Sequence, residues 1–315
     1  MSVALLIMSL VVGFLLLVRG SDAFVDGAGR LATRLGIPPM VVGLTIVALG
    51  TSAPEVAISV SSSFQAADQL TIANVFGSNI INTLVILGVV ALVAEVPMTR
   101  STLVREIPFV LVATVLMLGL CLHDGVLGRG DAVLLLVLLA GYLFHLVRSV
   151  RGEAVASSEG VAQDDGTPWG RLVATSVAGA AAVAFGAHLA VTGATGIARL
   201  LGMSDRLVGL TVVALGTSLP ELVTSVTAAR KGNTEVAIGN VVGSSILNVL
   251  FVLGMSGIVA PIPFAPNLLL DGVVTLAATA LVWVLGVRRR SLGRGSGVAM
   301  LASYAAYMAH VINFA

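Results

Sequence analysis

Two acidic residues stand where acids are most costly. Glu55 closes the segment GLTIVALGTSAPE, residues 43–55, and Glu221 closes GLTVVALGTSLPE, residues 209–221. Each lies in an apolar stretch long enough to cross a bilayer. A carboxylate at membrane depth is expensive, and those that occur there mark ion or proton sites. Eleven of the thirteen positions are identical, at a constant offset of 166 in a chain of 315 residues. Two acids related by a repeat point to one shared site.

The residues beside each acid are hard oxygen donors. Pro54 has no N–H and clashes with the preceding turn, and Gly50 is flexible, so the helix is predicted to break at GTSAPE. The break is expected to free carbonyls such as those of Ala48 and Thr51, which are tolerable in a membrane only where they line a cavity. Thr51 and Ser52 add hydroxyls, and the second copy supplies Ala214, Thr217, Ser218 and Glu221 around Pro220. No His or Cys is nearby, so the donor set favours sodium or calcium over transition metals.

A second pair of segments extends the set. Asn74, Ser78 and Asn82 recur at i, i+4 and i+8 and share one helix face, as do Asn240, Ser244 and Asn248. Between 74–88 and 240–254 nine of fifteen positions are identical. Such residues also glue membrane helices together, helped here by Gly239 and Gly243. For Asn74 and Asn240 both readings stand. Ser78, Asn82, Ser244 and Asn248, deeper and flanking the breaks, are placed in the site. Calcium takes 6–8 oxygen ligands, and one calcium would offset both buried charges.

The elements that must position these residues are membrane spans. Hydrophobic residues make up 57% of the chain and charged residues 10%, with a mean hydropathy of +1.05. That leaves no room for a sizeable soluble domain. The net charge of +1 gives no sign of nucleic acid as a partner, and the single cysteine, Cys121, excludes an internal disulfide. The bilayer is the one partner the composition demands, with no obligate protein partner evident and no cofactor implied.

Apolar runs predict ten transmembrane helices, at 3–18, 40–66, 70–94, 103–122, 131–150, 172–192, 206–229, 234–260, 266–286 and 297–314. The first is read as a retained helix, since no Lys or Arg precedes it. It is expected to continue through GSDAFVDGAGRLATRLG, which matches GAHLAVTGATGIARLLG at the same offset. Residues 151–170 are polar and form a linker between a first five-helix repeat, 1–150, and a second, 171–315. Five is odd, so the second repeat enters the membrane inverted relative to the first, an arrangement used by secondary transporters. Fourteen of the seventeen Lys and Arg fall in loops on one side of this scheme. The positive-inside rule then puts both termini outside and the linker in the cytoplasm, in the cytoplasmic membrane. The fold class is an all-α integral membrane protein built from two inverted five-helix repeats.

The paired motifs, GLTIVALGTSAPE with NVFGSNIIN and GLTVVALGTSLPE with NVVGSSILN, resemble the two α-repeats of the calcium/cation antiporter superfamily, in its prokaryotic sodium/calcium exchanger branch. The resemblance covers essentially the whole chain, with the motif regions at 43–88 and 209–254. It implies a ten-helix exchanger whose transported ions, calcium and sodium, share four central positions. Carried over residue by residue, it makes Glu55 and Glu221 the shared bridging ligands. It makes Thr51 and Thr217 ligands through side-chain and backbone oxygens, Ser78 and Ser244 through hydroxyls, and Ala48 and Ala214 through carbonyls. Asn82 and Asn248 flank the middle, and the first and sixth helices form a sliding gate.

Two departures stand out. Some relatives have Asp where this chain has Asn248, and potassium-dependent relatives use an acid in this region, so Asn at both 82 and 248 weighs against potassium. The GSN of the first repeat becomes GSS in the second, a difference expected to matter little because Asn79 points off the 74/78/82 face. Glu95, Glu106, Asp131 and Asp271 fall at span ends, where solvation is expected to be cheap. His188, His145 and His310 also fall there. The expected activity is calcium/sodium antiport, with calcium/proton antiport on the same scaffold as the alternative. A channel would need a continuous pore, and a hydrolase on Ser52 or Ser218 would lack an activating base.

Overall fold

The computed structural model describes residues 2–64, 69–156, 167–203 and 214–314. Most of the expected linker, 157–166, and residues 204–213, which include the opening of the second motif at 209–213, lie outside the described residues. Helix α1 (Val3–Leu35) runs on past residue 18 through the small-residue stretch, as the repeat match led one to expect. It stops where Gly36 adopts a left-handed φ of 63° and its N–H caps the Ala32 and Thr33 carbonyls.

Helices α2 (Pro39–Thr51) and α3 (Ala53–Phe64) form a single apolar unit bent by 47° at Ser52. Pro54 sits in the first turn of α3, where its missing N–H costs nothing to the helix it opens. Helix α4 (Gln69–Ile80) passes through a π-helical turn, Ile81–Ile86, into α5 (Leu87–Val93). A π-helical turn also lies within α2, at Gly43–Val47, and another, Thr102–Glu106, opens α6 (Ile107–Asp124), while α7 (Arg129–Ala156) continues beyond the expected end at residue 150.

The other half of the chain repeats this order. Helix α8 (Trp169–Leu200) matches α1, and α9 (Ala214–Thr217) and α10 (Leu219–Arg230) break at Ser218. Helix α11 (Thr234–Leu247) passes through a π-helical turn, Asn248–Val252, into α12 (Leu253–Val259), and α13 (Leu268–Arg289) and α14 (Arg294–Phe314) complete the fold. Among the described residues seven continuous helical units are long and apolar enough to cross a membrane, and the bent α2–α3 pair makes an eighth.

Burial separates a core from a periphery. Of the most apolar window of α11–α12, 94% is buried, and 78% of that of α4–α5, against 22% for α1. Helices α1 and α8 pack antiparallel, Gly13 against Gly186 and Gly20 against Gly179, with Leu6 near Gly193 at one end. A Cβ on Gly13 would come within 2.5 Å of the Ala190 nitrogen, so the two backbones touch. In lipid, helices gain little from hiding apolar side chains from one another, and close backbone contact through small residues holds them together instead.

Helix α2 meets α11 in the same way. A Cβ on Gly239 would lie 2.6 Å from the Met40 carbonyl oxygen, and one on Gly243 2.6 Å from that of Leu44. The connections pair across the repeats as two-residue antiparallel strands. Strand β1 (Val96–Pro97) pairs with β4 (Ser291–Leu292), and β2 (Val126–Leu127) with β3 (Ile262–Pro263).

Candidate functional site

The α2–α3 and α9–α10 breaks deliver the two acids to the middle of the protein. Glu55 and Glu221 are each 1% exposed. At both breaks the pivot residue leaves helical geometry in the same way, Ser52 with φ −81° and ψ 4° and Ser218 with φ −89° and ψ 7°. Ser52 Oγ donates to Glu221 Oε1 at 2.8 Å, so the first motif holds the acid of the second. Thr51 and Ser244 hydroxyls lie beside that same carboxylate.

Among the described residues ten buried side-chain oxygens have no hydrogen-bond partner in the protein. Six of them, Glu55 Oε2, Glu221 Oε2, Asn82 Oδ1, Asn248 Oδ1, Ser218 Oγ and Ser244 Oγ, are on residues singled out by the two motifs. A buried acceptor left unpaired costs about 1–3 kcal/mol, so a fold that gathers six of them has a use for them. Two carboxylates and four neutral oxygens match the preference of a hard cation with several oxygen ligands. Ser78 on α4 is buried as well, and Thr51 and Thr217 are buried at the breaks.

Four expectations change. The Ala48 carbonyl is not stripped of its donors: it accepts from Ser52 N at 2.9 Å, with the Thr51 hydroxyl at 3.3 Å. The carbonyl that Pro54 deprives is that of Gly50, one turn earlier, because proline has no N–H to return. Asn74 and Asn240 join helices. Asn74 Nδ2 donates to Ser59 Oγ at 3.1 Å, and Asn240 Nδ2 donates to Ser225 Oγ at 2.9 Å, while Asn240 Oδ1 accepts from Thr51 Oγ1 at 3.1 Å. Glu106 is not solvated at a helix end: it is 5% exposed and accepts from Tyr142 at 2.7 Å and Ser101 at 3.2 Å. Asp271 accepts in the same way from Tyr307 at 2.8 Å.

The fourth is Asn79, set aside on the helix-face argument, which is 1% exposed and bonds to Asn248 across the repeats. Thr224 on α10, with a buried hydroxyl lacking a partner, was also missed. It has no polar counterpart in the first motif, where Ile58 stands, so repetition could not flag it.

A membrane-embedded, all-helical protein with two repeat-related acids and a shell of unpaired neutral oxygens belongs to the class of cation carriers. Comparison with known proteins gives that class its family. The family of the sodium/calcium exchanger protein matches residues 5–148 and 171–313, the two halves separated by the polar linker. The chain is 35% identical over 312 residues to inner membrane protein YrbG of Escherichia coli K12, covering 95% of this chain and 94% of that one. It is 36% identical over 308 residues to the putative antiporter CaxA of Alkalimonas amylolytica, covering 94% and 95% of the two chains. It is 31% identical over 345 residues to the sodium/calcium exchanger MaX1 of Methanosarcina acetivorans, covering 95% and 96%. A solved structure of the sodium-calcium exchanger NCX_Mj, soaked with 2.5 mM Na+ and 0.1 mM Ca2+, superposes with a TM-score of 0.84 at 30% identity, covering 97% of this chain and 98% of that one. The chain belongs to the sodium/calcium exchanger family, in the prokaryotic branch of the calcium/cation antiporters. It is a multi-pass membrane protein that carries out cation antiport.

Proposed function

We propose that this protein exchanges calcium for sodium, with Glu55 and Glu221 as ligands shared by the competing ions. The observation that carries the reading is the group of six buried oxygens without donors, split between the two motifs and bearing only two carboxylates. Thr51, Thr217, Ser52, Ser218, Ser78, Ser244, Asn82 and Asn248 complete the donor set, with backbone oxygens of the broken helices, Ala48 and Ala214 among them. MaX1 and NCX_Mj bear the name of sodium/calcium exchangers, which supports this choice of ions.

The architecture is ten spans in two inverted five-helix repeats, 1–150 and 171–315, with both termini outside and the linker 151–170 cytoplasmic. The antiparallel packing of α1 on α8 supports the inversion, because repeat-equivalent helices run in opposite directions. The distribution of Lys and Arg supports the orientation, and the resemblance to an inner membrane protein supports the cytoplasmic membrane. Transport follows from competition. Calcium and sodium need the same two carboxylates, and a carrier that reorients only when its buried charge is offset couples the fluxes. Helices α1 and α8, more exposed to lipid than the core, are the pair that slides.

The test is calcium flux into proteoliposomes under imposed sodium, potassium or proton gradients. The expected result is flux that follows sodium and needs no potassium, since Asn82 and Asn248 add no charge. Glu55→Gln and Glu221→Gln should each lower flux at limiting calcium by about 100-fold or more, the scale of losing a charged partner in a buried site. Flux that persists without sodium and follows the proton gradient would instead establish proton exchange at the same two acids. Near-normal flux in either variant would refute a shared site.

A further inference from the structure

Asn79 sits where the two halves of the chain meet. Its equivalent in the second repeat is Ser245, and the two residues touch: Asn79 Nδ2 donates to the Ser245 carbonyl at 3.4 Å. At its other end Asn79 Oδ1 accepts from Asn248 Nδ2 at 3.1 Å. All three residues are buried. The Ser245 carbonyl is a second acceptor for the Asn248 N–H, at the point where α11 gives way to its π-helical turn, so its oxygen has a lone pair to spare.

The direction of this chain of bonds is dictated by chemistry. A backbone carbonyl only accepts, so the end of the Asn79 amide that meets it must be the NH2 group. The end that meets Asn248 must then be the oxygen, and an oxygen there requires the NH2 group of Asn248. Asn248 is left with its own oxygen pointing away from the chain, and that oxygen is among the buried acceptors with no donor. Among the described residues no equivalent bond orients Asn82 in the other repeat. Ser245 stands where Asn79 would, and its hydroxyl is engaged with the Val241 carbonyl at 2.9 Å.

We infer that Asn79 is a positioning residue which fixes the Asn248 amide so that its oxygen, and not its NH2 group, faces the transported cation. The inference rests on the proposed cation site and adds to it a residue that contacts no ion. An NH2 group turned toward a cation would repel it, so a freely turning amide is a weaker ligand than an oriented one. The difference between GSN and GSS therefore makes one of two repeat-related amides an oriented ligand.

The test compares the intact protein with Asn79→Ala, Asn248→Asp and the double variant, reading equilibrium calcium and sodium binding by calorimetry in lipid nanodiscs. Asn79→Ala should weaken calcium binding about 10-fold, the cost of letting the amide turn. A carboxylate has oxygen at both ends and needs no orienting, so Asn79→Ala should change affinity by less than about 2-fold when Asn248→Asp is present. If Asn79→Ala does not fold, Asn79→Ser serves in its place, because a hydroxyl both donates and accepts and cannot fix the direction. An equal loss in both backgrounds would overturn the inference, as would wild-type affinity in the single variant. Absence of calcium and sodium binding by the unsubstituted protein would overturn the proposed function along with it.

Discussion

Ser52 and Ser218 hold equivalent places in the two motifs and have different surroundings. Ser52 donates to Glu221 at 2.8 Å, whereas the Ser218 oxygen has no partner. Two halves of like sequence that are packed differently are what alternating access requires, since each half must adopt in turn what the other holds. The asymmetry has a measurable consequence. Without cations Ser52→Ala removes a hydrogen bond to a carboxylate, a contact worth about 1.5–3 kcal/mol, while Ser218→Ala removes none. Ser52→Ala should therefore lower the melting temperature in ion-free nanodiscs, whereas Ser218→Ala, which removes an unpartnered buried hydroxyl, should leave it unchanged or raise it. Equal effects would mean that the two serines are equivalent in the resting protein. The two glutamates were legible in the sequence because an acid in an apolar run has few explanations. Asn79 was not, because a helical face is judged one helix at a time and its partners come from the opposite repeat.

The elements carry a division of labour between a packed core and a lipid-facing pair. Helices α4–α5 and α11–α12 hold three of the four neutral oxygens, those of Asn82, Ser244 and Asn248, and their burial keeps those side chains fixed. Helices α1 and α8 meet through close glycine contacts around a small cluster of Leu17, Val183, Ala187 and Ala190, and expose Phe14 and Leu15 on one and Val177 and Phe185 on the other. Such a pair can move together against the core. A Cβ on Gly20 would lie 2.9 Å from the Val183 nitrogen, and one on Gly186 2.8 Å from that of Leu17. Gly20→Leu and Gly186→Leu should each destabilise the protein by about 1–3 kcal/mol and slow exchange, read from thermal unfolding and calcium flux. Unchanged unfolding in both would mean that α1 and α8 are not in contact in the membrane. The breaks at Ser52 and Ser218 were readable from Pro54 and Pro220, and the length of α1 from its match to α8. The π-helical turns at Ile81–Ile86 and Asn248–Val252 were not, because an inserted residue leaves hydrophobic spacing nearly unchanged.

At the scale of the whole molecule, a group of polar contacts ties the middle of α1 to α10 and the residue that follows it. Ser21 and Thr227 hydroxyls are 2.9 Å apart, and Lys231, just past α10, reaches Asp26 at 2.9 Å and Asp22 at 3.1 Å. The corresponding positions on α8 are Ala187, His188 and Thr192, which offer no carboxylate, so the tie belongs to one face of the membrane. That face carries the excess of Lys and Arg, and it is the side proposed above to be cytoplasmic. Burial works against the Lys231 ammonium, but its hydrogen bonds to Asp26 and Asp22 outweigh this and raise its pKa. The lysine contribution is thus fully present below the ordinary lysine pKa and fades only as pH rises through the raised value, so it is intact at neutral pH. The groups are partly exposed, and such pairs contribute only about 0.2–1 kcal/mol, enough to shift a two-state balance by up to about 5-fold and no more. Lys231→Met, and Asp22→Asn with Asp26→Asn, should therefore favour the state open to the cytoplasm without abolishing exchange. A cysteine at Thr227, in a background lacking Cys121, would react faster with impermeant reagents from the cytoplasmic side in these variants. High salt should produce the same shift in the parent chain and little in the variants, because screening removes only what the tie supplies. Reaction rates that are the same with and without the tie would show that α1 is held on this face by packing alone.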